Sequence, residues 1–131
     1  MVFPVIVLDS SFLISLYFPD DENHPKAIHM ADENKSEEML LPAPILFETL
    51  TVANYKGGII FAREVYEDLL SNREITTFHF SEDEEGVLLQ EFFAHGGKLS
   101  VQDASVVYLA RKTGSKVLAF DEIIIKAVKN A

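Results

Sequence analysis

A chain of 131 residues, 48% hydrophobic and 24% charged, has the size and composition of one globular domain and excludes general disorder. Its 11 Lys and Arg against 21 Asp and Glu leave a net charge of −10, a poor balance for non-specific nucleic-acid binding or for anionic membrane surfaces. With no cysteine, the chain has no disulfide, no thiolate zinc site and no thiol catalysis.

No apolar run approaches the roughly 20 residues needed to cross a bilayer. Met1–Leu8 has neither a basic start nor a small-residue cleavage site, so no signal peptide is read and a cytoplasmic protein is expected.

Val2–Leu8 is apolar and β-branched and reads as a buried strand, with Pro4 tolerated near its start. Asp9 follows, then a short helix over Ser10–Tyr17 and a loop at Pro19–Asn23. A helix is expected over His24–Glu33, and a short strand at Met39–Leu41 that Pro42 ends. Pro44–Lys56 reads as a helix stopped by Gly57 and Gly58. Ile59–Asn72 is a second helix, with Phe61, Val65, Tyr66, Leu69 and Leu70 at helical spacing. Ile75–Phe80 is strand-like. Ser81 and Glu84 form a capping box for a helix to about His95, closed by Gly96 and Gly97. Ser100 starts a helix that runs to Thr113 and is closed by Gly114. Lys116–Phe120 is the last strand, followed by Asp121 and a helix over Glu122–Lys129.

Strands that alternate with helices and are apolar on both faces predict an α/β fold. Its three layers would be a parallel sheet of about four or five strands flanked by helices, with residues 1–131 as a single domain. Such folds bind ligands at the carboxyl ends of their strands.

Asp9 and Asp121 follow strands and would share that edge. Each also fits an ordinary helix N-cap. Asp103 lies three, four and seven positions before Val106, Val107 and Ala110, which places it on their apolar face. A capping box with Ser100 explains an acid there but not its inward direction. Glu48 shares a stripe with Ile45, Val52 and Tyr55, either at its margin or as a ligand. Clustered carboxylates repel one another, and hard divalent cations that prefer oxygen ligands relieve this.

These pieces resemble the PIN-domain ribonucleases, and most closely the small VapC-type toxins of toxin–antitoxin pairs. The matching stretches are Leu8-Asp9-Ser10-Ser11, Phe47-Glu48-Thr49-Leu50, Leu99-Ser100-Val101-Gln102-Asp103-Ala104, and Val117-Leu118-Ala119-Phe120-Asp121. The resemblance implies a PIN-like fold and an Mg²⁺- or Mn²⁺-dependent endoribonuclease. Its acidic quartet would be Asp9, Glu48, Asp103 and Asp121, with Glu48 binding metal directly or through water. Ser10 matches a supporting hydroxyl. Ala119 departs from the pattern, standing where the family carries Thr or Ser. The resemblance also implies a homodimer, for which the helices of Pro44–Asn72 are the candidate surface. It further implies a small antitoxin whose basic segment enters the acidic cleft. No DNA contact is expected of this chain alone.

A catalytically weak PIN-fold binding module is the alternative, favoured by Ala119 and the net charge. A receiver domain would need acids paired at the first strand, and a haloacid-type phosphatase would need Asp where Ser11 stands; both fit less well. His24, His29, His79 and His95 lack metal-ligand spacing and are expected in surface, core and capping roles. Asp20-Asp21-Glu22 is an acidic loop that could rim the site, and Glu122 is the candidate fifth acid. The 11 basic residues are scattered, so RNA contact would require folding to gather several of them.

Overall fold

The computed structural model describes residues 5–129. Four strands, β1 (Val5–Leu8), β2 (Glu38–Pro42), β3 (Ile75–Phe78) and β4 (Lys116–Leu118), form one sheet in the order β3-β2-β1-β4. All pairings are parallel, with Val7 opposite Leu40 and Leu8 opposite Leu118. The described residues also hold seven helices: α1 (Ser10–Tyr17), α2 (His24–Glu33), α3 (Ala43–Gly57), α4 (Ile59–Ser71), α5 (Glu82–Ala94), α6 (Val101–Thr113) and α7 (Glu122–Lys129).

The predicted elements are all present, with shifted ends. The start of the first strand, Val2–Pro4, lies outside the described residues. The second strand is longer than expected, because Glu38 and Pro42 join it. The third and fourth are shorter, ending at Phe78 and Leu118 rather than Phe80 and Phe120. Phe80 leaves the ladder to pack against Phe78 and Tyr108, at centroid distances of 5.1 and 5.8 Å. Phe120 instead stacks on Phe12 at 6.4 Å, and this contact fixes the loop that carries Asp121.

The core is built on the apolar strands. Ile6, Val7 and Leu8 are buried on both faces of the sheet, with Leu41, Ile45, Leu109 and Ile124 around them. Helix α6 contributes Val106, Val107, Leu109 and Ala110 and contacts β1, β2, β4, α3, α5 and α7. Right-handed crossovers require that α1–α4 lie on one face and α5–α6 on the other, because the chain reverses direction when it passes from β3 to β4. The reversal puts a topological switch point between β1 and β4, where α/β sheets open a crevice at their carboxyl ends.

Candidate functional site

At that switch point an open pocket of about 550 Å³ is lined by Asp9, Glu48, Asp103 and Asp121, together with Ser10, Ser11, Ser15, Asp21, Asn23 and Ser100. Asp9 follows β1 and Asp121 lies three residues beyond β4. Glu48 projects from the second turn of α3 and Asp103 from the first turn of α6. The topology therefore brings all four sequence-predicted acids to one cavity.

Three of the four also serve as helix caps. Asp9 Oδ2 accepts from the backbone N–H of Ser11 at 3.1 Å, at the start of α1. Asp103 Oδ2 accepts from Ser100 N–H at 3.0 Å, while Ser100 Oγ accepts from Asp103 N–H at 3.0 Å, a complete capping box. Asp121 Oδ1 accepts from Ile123 N–H at 2.9 Å at the start of α7. Capping uses one oxygen of each carboxylate, and a carboxylate has two. The capping and site readings of these acids are therefore compatible.

The second oxygens carry the electrostatic cost. Asp9 is 1% exposed, and its Oδ1 is buried with no hydrogen-bond partner; Glu48 Oε2 is in the same state. Burial pushes the Asp9 carboxyl up to about 6, against the pull of two hydrogen bonds from Ser11 and with added repulsion from Asp103 and Glu48. Glu48 is also raised, by burial first and by Asp103, while the Ser10 hydroxyl partly offsets the shift. Paired buried acceptors that lack donors and repel one another fit a bound cation in their chemistry. Among the described residues, no three His, Asp or Glu side chains stand close enough to hold one ion between them. A hard cation such as Mg²⁺ commonly takes only one or two carboxylates and completes its shell with water, and the open pocket has room for that.

Ser10 lines the pocket beside Glu48. The hydroxyl that holds Asp9 belongs to Ser11, which sequence reasoning did not single out as a site residue. Ser11 Oγ donates to Asp9 Oδ2 at 2.5 Å and accepts from Phe120 N–H at 2.9 Å. The available signal was its N2 position after an Asp cap, where the backbone N–H meets the cap oxygen. Asp21 reaches the rim, accepting from Ser15 Oγ at 2.9 Å and Asn23 N–H at 2.8 Å. Glu122 is exposed and is not among the residues lining the pocket. His24 Nδ1 lies 2.8 Å from the Ser15 carbonyl. His29 faces Glu33, and His95 faces Glu91.

The sequence pattern of the PIN domain matches residues 6–130. The chain belongs to the PIN-domain family. Among solved structures, this PIN domain resembles VapC20 of Mycobacterium tuberculosis, described as a sarcin–ricin loop cleaving toxin. That likeness has a TM-score of 0.83 at 25% identity and covers 93% of this chain and 94% of that one. FitAcB from Neisseria gonorrhoeae shares the fold at a TM-score of 0.68 and 15% identity, over 95% and 93% of the two chains. VapBC2 from Rickettsia felis, in a structure bound to a DNA fragment from its promoter, does so at 0.67 and 13%, over 96% and 94%. A search of curated protein sequences returns no match. With the PIN family shown, the receiver and phosphatase readings are set aside.

Proposed function

We propose that this PIN domain, residues 1–131 as a single unit, is a divalent-cation-dependent endoribonuclease, the toxin of a VapBC-type pair acting in the cytoplasm. The observation that carries the reading is the convergence of Asp9, Glu48, Asp103 and Asp121 on one cavity, with two buried carboxylate oxygens left without donors. The likeness to VapC20 supports RNA as the substrate class.

Asp9 and Asp103 would hold Mg²⁺ or Mn²⁺, with Asp121 and Glu48 ligating directly or through water. A cation bound there supplies a water of lowered pKa and counter-charge for the phosphodiester. Ser11 donates to Asp9 Oδ2 and favours its ionised form against the effect of burial. The capping box fixes Asp103. Glu48 and Asp121 would position the attacking water or take its proton.

The partners follow the same logic. A cavity of about 580 Å³ lies between α3 and α4, lined by Leu50, Ile59, Ala62 and Tyr66. On the same two helices Phe47, Tyr55 and Ile60 are exposed, and we assign this surface to a second copy of the chain. A basic antitoxin segment suits the acidic pocket, and the likeness to VapBC2 supports a partner of that kind. DNA contact is not assigned to this chain alone.

The test is RNA cleavage in Mg²⁺ or Mn²⁺ by the intact chain, beside Asp9→Asn and Asp103→Asn variants that keep their circular dichroism. Cleavage should be lost in both variants, and retained cleavage in both would falsify the site. Isothermal titration with Mn²⁺ separates the alternative of a PIN-fold binding module, which predicts no heat that depends on Asp9 and Asp103.

A further inference from the structure

Folding gathers basic side chains at one place on this acidic chain. A cavity of about 340 Å³ is lined by His95, Lys98, Arg111, Ile123, Lys126 and Ala127, with no carboxylate among its walls. Three larger cavities each include Asp or Glu. Three elements build the basic one: the turn after α5, the last turn of α6 and the middle of α7. Gly96 and Gly97, at φ of 57° and 85°, form the turn that presents Lys98.

The cluster is partly pre-organised. Glu91 Oε1 accepts from Arg111 at 2.7 Å and lies 3.3 Å from His95 Nε2, while a second Arg111 nitrogen donates to the Ala127 carbonyl at 3.2 Å. Glu91 thus aligns Arg111 and offsets one charge. Lys98 and Lys126 are exposed and make no ion pair among the described residues. Other basic residues are engaged elsewhere: Lys112 with Glu84, Lys35 with Asp32 and Lys116 with Asn34. The acidic group nearest in sequence to the α7 wall is the exposed Glu122.

Two walls of this cavity are tied through short stretches of chain to the acidic pocket. Lys98 is two residues before Ser100, and Ile123 is two residues after Asp121; Ser100 and Asp121 both line that pocket. Two residues span at most about 7 Å. Lys126, five residues beyond Asp121, stands about 7.5 Å farther along the axis of α7. An acidic pocket alone repels a polyanion, so a substrate strand crossing it needs fixed positive charge close by.

We propose that Lys98 and Lys126, with Arg111 and His95 behind them, form a subsite for the RNA phosphate backbone next to the cleavage position. The proposal rests on the nuclease reading for the identity of the polyanion. Contacts of this kind position the strand without reading its sequence.

The test compares the intact chain with a Lys98→Ala/Lys126→Ala variant, whose changes are both on exposed side chains. Anisotropy with a short labelled single-stranded RNA is measured across a salt series, and RNA cleavage and Mn²⁺ titration are run on both proteins. The variant should bind RNA several-fold more weakly, with a salt slope shallower by about 0.7 for each lost phosphate contact. KM should rise with kcat kept, and Mn²⁺ binding should be unchanged. Equal affinity and slope in the two proteins overturn the subsite, even when cleavage is intact and the nuclease reading stands. Absence of RNA binding by the intact chain also overturns it. Polyglutamate that displaces RNA more effectively than unlabelled RNA does would reassign the cluster to an acidic protein. Loss of cleavage with RNA binding and the lysine effect retained would count against the nuclease reading alone.

Discussion

The Ser11 hydroxyl donates to Asp9 Oδ2 at 2.5 Å while it accepts from the Phe120 backbone at 2.9 Å. One side chain thus ties the end of β1 to the segment that follows β4, across the switch point where the pocket opens. Ala119, buried in that segment, brings no hydroxyl of its own, and the hydroxyl bonded to Asp9 comes from α1.

Ser11→Ala should therefore act on both stability and charge. It leaves the Phe120 N–H without its acceptor and should cost about 1–2 kcal/mol in urea unfolding. It also removes one of the bonds that hold the Asp9 carboxyl down, so Asp9 should titrate above its present value of about 6. A pH–rate profile should show the acid limb displaced upward. An unmoved limb together with lost stability would reduce Ser11 to a structural tie.

Asp9 should make the metal-free protein less stable as pH rises. Its carboxyl titrates near 6 when folded against an ordinary 3.8, so between those values the folded state binds more protons than the unfolded one. The contribution of this group to stability therefore falls from about pH 4 to about pH 6 and stays low above. The shift corresponds to about 3 kcal/mol at most. At pH 8 without metal, Asp9→Asn should unfold at higher urea than the parent chain, by roughly 1–3 kcal/mol. Mn²⁺ should stabilise the parent by mass action and leave the variant unmoved. A destabilised Asp9→Asn at pH 8 would contradict the burial argument.

Asp103 should separate its two duties by substitution. Asp103→Asn keeps an oxygen for the Ser100 N–H, so stability should change little while Mn²⁺ binding is lost. Asp103→Ala loses the cap as well and should cost about 1 kcal/mol more. Chemical denaturation of the two variants, beside Ser100→Ala, measures the capping part alone.

Tyr17 should resist ionisation. Its hydroxyl donates to Asp68 Oδ2 at 2.6 Å, linking α1 to α4, and burial with the adjacent carboxylate pushes the phenol well above its usual range. Alkaline spectrophotometric titration of the parent beside Tyr17→Phe should assign to Tyr17 an ionisation that appears only as the chain unfolds. Tyr17→Phe should abolish that ionisation and cost about 1 kcal/mol. A Tyr17 ionisation in the usual phenol range would show that the Tyr17–Asp68 bond does not persist in solution.

Local signals were enough to read most of the fold. Gly57, Gly58 and Gly114 stop helices because they adopt or adjoin positive-φ geometry, and Ser81–Glu84 and Ser100–Asp103 announce helix starts. Strand ends were less legible, since Phe80 and Phe120 carry the apolar signature of strands yet pack ring against ring outside the sheet. Tyr66 and Leu70, read at helical spacing with Val65 and Leu69, are 40% and 58% exposed, because Val65 and Leu69 already fill the inward face of α4.

The sequence by itself determined which residues were candidates. An acid after an apolar strand, or on the inward stripe of a helix, is a local pattern, and Asp9, Glu48, Asp103 and Asp121 show it without any contact being known. Tertiary structure decided how each carboxylate divides its oxygens between a helix cap and the pocket, and that Ser11 holds Asp9. It also gathered Lys98, Arg111 and Lys126, residues as much as 28 positions apart, around one cavity. Periodicity reports which face of an element turns inward. Which faces then meet depends on the order of strands and the direction of crossovers, and no local pattern carries that information.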